Sequence, residues 1–162
     1  MRYLGLVLLL TWMVMTCKPA NDISIVPDIE FLGMSKDTVD QNIKKNDSLY
    51  IQLRFQDGDG DIGFANNDAN IFIEDMRDGY IIKYASPVIP GSASLSDVSG
   101  TIQLLINTQF NICCKYANGQ PACTPAEGDQ KFDVLQYRIY IVDRAGNESN
   151  RVETGPIVIR CN

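Results

Sequence analysis

Histidine is absent from all 162 residues. That single gap removes Ser-His-Asp and Cys-His catalysis, HExxH metalloprotease chemistry and the usual zinc ligand sets. Basic clusters are missing too. Fourteen Lys and Arg stand against 20 Asp and Glu, for a net charge of −6, and no local run supplies the positive face that phosphate binding needs. A nucleic-acid partner is not expected. Helical periodicity is also scarce, and no apolar run is long enough to span a bilayer. The longest uncharged stretch at the start, Tyr3 to Cys17, is 15 residues, short of the ~20 that a spanning helix requires. What is present, 45% hydrophobic and 21% charged residues, is ordinary for one globular domain with a real core.

The short apolar run reads as an export signal. Arg2 gives the positive n-region, Leu4 to Met15 the apolar h-region, and polar residues begin at Lys18. An ordinary cleavage after Ala20 would put Lys18 at −3, where a small residue belongs. Val14-Met15-Thr16-Cys17 instead resembles a lipobox, although Val14 and Thr16 stand where Leu and a small residue are preferred. The sequence thus predicts a lipoprotein signal peptide over 1–16, a lipidated Cys17 with a tether over 17–22, and a folded domain over 23–162. A plain secretory signal that merely contains a cysteine is the competing reading. Several acyl chains on one terminus anchor stably, each buried methylene contributing about 0.8 kcal/mol.

Behind the tether, apolar residues alternate with polar ones. Leu49, Ile51, Leu53 and Phe55 share one face against Ser48, Gln52, Arg54 and Gln56; Leu135, Tyr137, Ile139 and Ile141 repeat the pattern, as do Ile102, Leu104 and Ile106. Such alternation means one buried and one wet face, the habit of antiparallel sheets. Turn-forming residues fall at Asp57–Gly63, Asp78-Gly79, Pro87–Gly91, Asn118-Gly119 and Ala145–Asn147. Seven strands are expected, near 23–34, 48–56, 70–76, 80–86, 99–107, 132–142 and 153–160. The predicted fold is all-β, a single antiparallel β-sandwich of the immunoglobulin or fibronectin type III kind, with a small barrel as the alternative.

Four cysteines remain beyond Cys17: Cys113, Cys114, Cys123 and Cys161. In an exported chain they predict two disulfides. A vicinal Cys113–Cys114 bond is sterically rare. Two pairings stay open, Cys113–Cys123 with Cys114–Cys161, or Cys114–Cys123 with Cys113–Cys161. A four-Cys zinc site would need adjacent ligands without C-x-x-C spacing and is disfavoured.

Asp57-Gly58-Asp59-Gly60-Asp61-Ile62-Gly63 carries the strongest chemical signal. Carboxylates at alternate positions, with glycines allowing tight curvature, can converge oxygens on one hard cation such as Ca²⁺. It is no EF-hand, because Ile62 sits where glycine belongs, although Asp68 falls at the twelfth position. In an immunoglobulin-like topology this loop and Asp143-Arg144-Ala145-Gly146-Asn147 fall at one pole. Asp57, Asp59, Asp61, Asp143 and Asn147 are therefore the candidate Ca²⁺ ligands. Solvated turns are the plainer reading of both loops.

Phe55 to Gly63, F-x-D-G-D-G-D-I-G, and Tyr137 to Thr154, Y-x-I-Y-I-x-D-R-A-G-N-x-S-N-x-V-x-T, resemble a group of Bacteroidota envelope lipoproteins with an immunoglobulin-like domain. D-x-A-G-N-x-S is also common in bacterial immunoglobulin-like repeats. The resemblance implies a sandwich and an outer-membrane location, on either face, and imports no activity. No catalysis is expected: Asp57, Asp59 and Asp61 stand too close along the chain to flank a scissile glycosidic bond. The expectation is a non-catalytic, lipid-anchored envelope module, binding or structural, with the membrane as one partner and a protein or glycan as another. A structural subunit of an outer-membrane assembly is the alternative. Tyr80, Tyr84, Phe110 and Tyr116 are the aromatics that could stack on a sugar.

Overall fold

The computed structural model describes residues 23–41, 47–87, 97–109 and 111–161. The expected signal peptide, Cys17 and the tether lie outside the described residues, as does Phe110. Among the described residues ten strand segments occur in chain order: β1 (Asp28–Met34), β2 (Thr38–Gln41), β3 (Ser48–Asp57), β4 (Ile71–Asp75), β5 (Tyr80–Tyr84), β6 (Val98–Asn107), β7 (Phe132–Leu135), β8 (Tyr137–Ile141), β9 (Val152–Glu153) and β10 (Ile157–Cys161). No helix among the described residues is long and apolar enough to cross a membrane.

One sheet has the order β1-β3-β6, all antiparallel, with Leu53 facing both Phe31 and Ile102 in register. The other rows run β5-β4-β8-β9 and β2-β10-β7. Only Gln136 separates β7 from β8, and residues 154–156 separate β9 from β10. Thr154 stitches the rows together, its N–H donating to the Tyr137 carbonyl at 2.9 Å and its Oγ1 accepting the Tyr137 N–H at 3.0 Å. They therefore form one sheet, β5-β4-β8/β7-β9/β10-β2. A three-stranded sheet faces it. This is a β-sandwich of the immunoglobulin and fibronectin kind.

Three details differ from the expected strand list. The chain pairs from Asp28 rather than residue 23, because Ile23 to Pro27 runs across a loop instead. β2 was not expected; it adds to the edge as the one parallel partner among the described residues, with Val39 beside Ile159. The two long C-terminal strands are each interrupted. Pro156, which has no N–H to give, falls in the second break.

The core follows the alternation. Leu49, Ile51, Leu53, Ile71, Ile73, Ile106, Leu135, Tyr137, Ile139, Ile141, Ile157 and Ile159 are all buried. Tyr137 is fully buried, and its hydroxyl donates to the Asn111 carbonyl at 2.8 Å, pinning the β6–β7 connection in the manner of a tyrosine corner. Disulfides join Cys113 to Cys123 and Cys114 to Cys161, one of the two pairings left open by sequence. The second ties the long 113–131 connection to the last strand.

Candidate metal centre

β3 ends on a carboxylate that the two-residue period turns inward, and a second lies two residues beyond the end of β8. After Leu49, Ile51, Leu53 and Phe55 the next buried position is Asp57; after Tyr137, Ile139 and Ile141 it is Asp143. A side chain at such a position must be satisfied by the protein or by an ion. Asp143 is satisfied by its own loop. Its Oδ1 accepts the Asn147 N–H at 2.7 Å and its Oδ2 the Asn147 Nδ2–H at 2.8 Å.

Asp57 is not. Its Oδ2 accepts the Asp61 N–H at 2.9 Å, but its Oδ1 is buried with no hydrogen-bond partner. Asp61 repeats the arrangement. Its Oδ2 accepts the Ala145 N–H at 3.0 Å, and its buried Oδ1 has no partner. One carboxylate oxygen from each of Asp57, Asp59 and Asp61 lies within 4.8 Å of the others. The residues could hold a metal ion. Gly60, at φ 68°, makes the turn that brings Asp61 back toward Asp57.

Burial, together with the nearby charges of Asp59, Asp61 and Asp143, outweighs the Asp61 N–H and pushes the Asp57 carboxyl up to about 6. Burial and the charges of Asp143 and Asp59 raise Asp61 as well, against the pull of the Ala145 N–H and the Arg144 guanidinium. Ion-free, this pole holds acids that resist ionising.

The two loops meet as expected. Arg144 donates its N–H to the Asp61 carbonyl at 3.3 Å and a guanidinium N–H to the Gly63 carbonyl at 3.1 Å. Asp57, Asp59 and Asp61 converge, with Asp143 close enough to act on two of them. The Nδ2–H of Asn147 is committed to Asp143, which leaves its Oδ1 as the atom it could offer an ion. Asp68 lies apart, exposed and bonded to Asn66 at 2.7 Å, while Ile62 fills core space.

The sequence did not signal that the N-terminal segment reaches this loop. Gly58 donates its N–H to the Ser24 carbonyl at 2.8 Å. A Cβ on Gly58 would lie 2.7 Å from that oxygen and closer still to the Ile23 carbonyl. Asn150 clamps the start of β1, accepting the Ile29 N–H at 2.7 Å and donating to its carbonyl at 2.8 Å.

A second polar cluster, at the other pole, shows how this chain satisfies a buried acid without an ion. Asp75 is the last inward residue of β4, after Ile71 and Ile73. Arg77 and Lys115 both pair with it, at 2.7 and 2.9 Å, and Arg77 also reaches Asp133. Burial would raise Asp75, but these hydrogen bonds and charges hold it down at about 2. Of the aromatics considered for sugar stacking, Tyr80 is exposed. Tyr84 and Tyr116 pack against the core and donate their hydroxyls to the carbonyls of Leu105 and Thr124.

Compared with known proteins, the chain matches no family model, and neither a curated protein nor a solved structure is significantly similar to it.

Proposed function

We propose that this chain is a non-catalytic envelope module, lipid-anchored at Cys17, whose loop pole is organised by a Ca²⁺ ion held by Asp57, Asp59 and Asp61. The observation that carries the reading is the pair of buried, partnerless oxygens, Asp57 Oδ1 and Asp61 Oδ1, inside a three-carboxylate cluster. Burying such atoms without compensation is costly, and an all-oxygen donor set suits a hard cation. Asp143 supports the site from behind, fixing the 143–147 loop through Asn147. The two disulfides favour an oxidising compartment, as export would provide, and the lipobox-like Val14–Cys17 favours an anchor there. The likeness to Bacteroidota lipoproteins belongs to the same reading.

Two measurements test it. Millimolar Ca²⁺ added to chelated protein should raise the melting temperature, and Asp59→Ala should abolish the rise. Labelled palmitate should enter the wild type and not Cys17→Ser. An unchanged melting temperature removes the ion, and an unlabelled wild type removes the anchor.

One observation favours a structural subunit of a larger assembly as a second reading. Phe132 and Val134, alternate residues on the outer face of β7, are 60% and 52% exposed. A photo-crosslinker at Val134 that yields no adduct in the native envelope would set that reading aside.

A further inference from the structure

The N-terminal segment leaves the sandwich at its acidic pole. Ser24 accepts the Gly58 N–H, and the Ile23 backbone packs so tightly on Gly58 that no side chain fits between them. Between Cys17 and Ile23 there are six residue steps, which reach at most ~20 Å when fully extended. A lipid on Cys17 would therefore keep this pole within ~20 Å of the membrane surface. Two large apolar residues of the same segment, Ile25 and Val26, are 60% and 42% exposed.

An acidic pole held against an anionic bilayer is repelled unless a cation lies between them. The donor atoms suggest how the cation would be shared. Asp57 is fully buried, with Oδ1 free inside the cluster. Asp61 Oδ1 and the two oxygens of exposed Asp59 bring the uncommitted carboxylate oxygens to about four, whereas Ca²⁺ takes six to eight. Four carboxylate oxygens would leave room for other oxygens, and exposed Asp59 opens the cluster to solvent.

We propose that the ion held by Asp57, Asp59 and Asp61 is a bridge to the phosphates of anionic lipids in the surface that anchors the chain, with Ile25 and Val26 seated at the interface beside it. The inference rests on the calcium and anchor readings above. The ion sets the orientation of the domain as well as stabilising it. With it, the acidic pole is drawn onto the bilayer; without it, the uncompensated carboxylates are repelled from an anionic surface.

The test uses the full lipidated chain in nanodiscs of phosphatidylcholine, alone or doped with phosphatidylglycerol, followed by hydrogen exchange. Calcium should slow exchange of the 58–63 and 145–147 amides about tenfold more on the anionic discs. Asp59→Asn should lose this difference. Ile25→Ser with Val26→Ser should weaken it while keeping the calcium-induced rise in melting temperature. A full melting-temperature rise with equal exchange on both discs overturns the lipid bridge and leaves the calcium site standing. No rise at all removes the site and the bridge together, and a chain that leaves the discs removes the anchor. Inorganic phosphate that restores full protection on phosphatidylcholine alone reassigns the ligand to free phosphate and overturns the bridge.

Discussion

Asp57 takes the fifth inward position of a strand whose other four are Leu49, Ile51, Leu53 and Phe55. A neutral side chain would suit that place better in the absence of an ion. Its carboxyl rises from the ordinary 3.8 to about 6, equivalent to about 3 kcal/mol lost at neutral pH when the charge is forced into the fold. Asp57→Asn should therefore stabilise the chelated protein at pH 7 by about 1–3 kcal/mol while removing the response to calcium. Functional sites often sit at such a cost to stability. Calorimetry in chelator measures it, and a less stable variant would mean that the charge is no burden. Gly58 makes the complementary case. It is required for space, since its Cβ would strike the Ser24 and Ile23 carbonyls. Gly58→Ala should displace the N-terminal segment and cost about 1–3 kcal/mol. Hydrogen exchange should then show the residue-58 amide, which donates to the Ser24 carbonyl in the native chain, unprotected, and an unaffected amide would contradict the close approach.

Strands were legible wherever one face was apolar. β3, β6 and β8 fall within a residue or two of their alternating runs because a two-residue period leaves few registers that bury Leu, Ile and Tyr together. β2 escaped because Thr38-Val39-Asp40-Gln41 carries a single apolar residue. Its inward Gln41 is held by Tyr116, Thr124 and Cys114 through hydrogen bonds that no periodicity records. The three-Asp cluster was legible from D-G-D-G-D, and its meeting with 143–147 from strand order. The crossing of Ile23 over Gly58 was not, since it depends on a non-local approach of two backbones. The Asp75 pole was missed for the same reason: Arg77 is a local neighbour, but Lys115 and Asp133 arrive from the long connection and from β7. That pole has its own consequence. Arg77→Met leaves buried Asp75 with Lys115 as its remaining cation and Asp133 with backbone N–H donors only, and should cost about 3 kcal/mol by urea denaturation. A loss under about 1 kcal/mol would show that Lys115 suffices.

Across the whole molecule the two poles respond to protons in opposite directions. Asp75, held at about 2 by Arg77 and Lys115 against its burial, stabilises the fold above its unfolded value of 3.8. That contribution is lost as pH falls from about 4 to about 2. Asp47 and Asp78, also lowered, act in the same sense. Asp57 and Asp61 do the reverse. The folded state keeps a proton on Asp57 up to about pH 6, whereas the unfolded chain releases it near 3.8. Between those values the folded form binds more protons, so stability must fall as pH rises. Chelated protein should be most stable near pH 4 to 5 and weaken by about 2 kcal/mol on the way to pH 7. Calcium takes the place of the proton. Its stabilising increment should be small near pH 4, grow through pH 6 and level off above it, moving the optimum toward neutrality. Melts across this range, in chelator and in calcium, draw the two curves. A chelated curve that is flat or rises between pH 4 and 7 would mean the partnerless oxygens of Asp57 and Asp61 are not the strained centre of this pole. Coincident curves would mean that no ion relieves them.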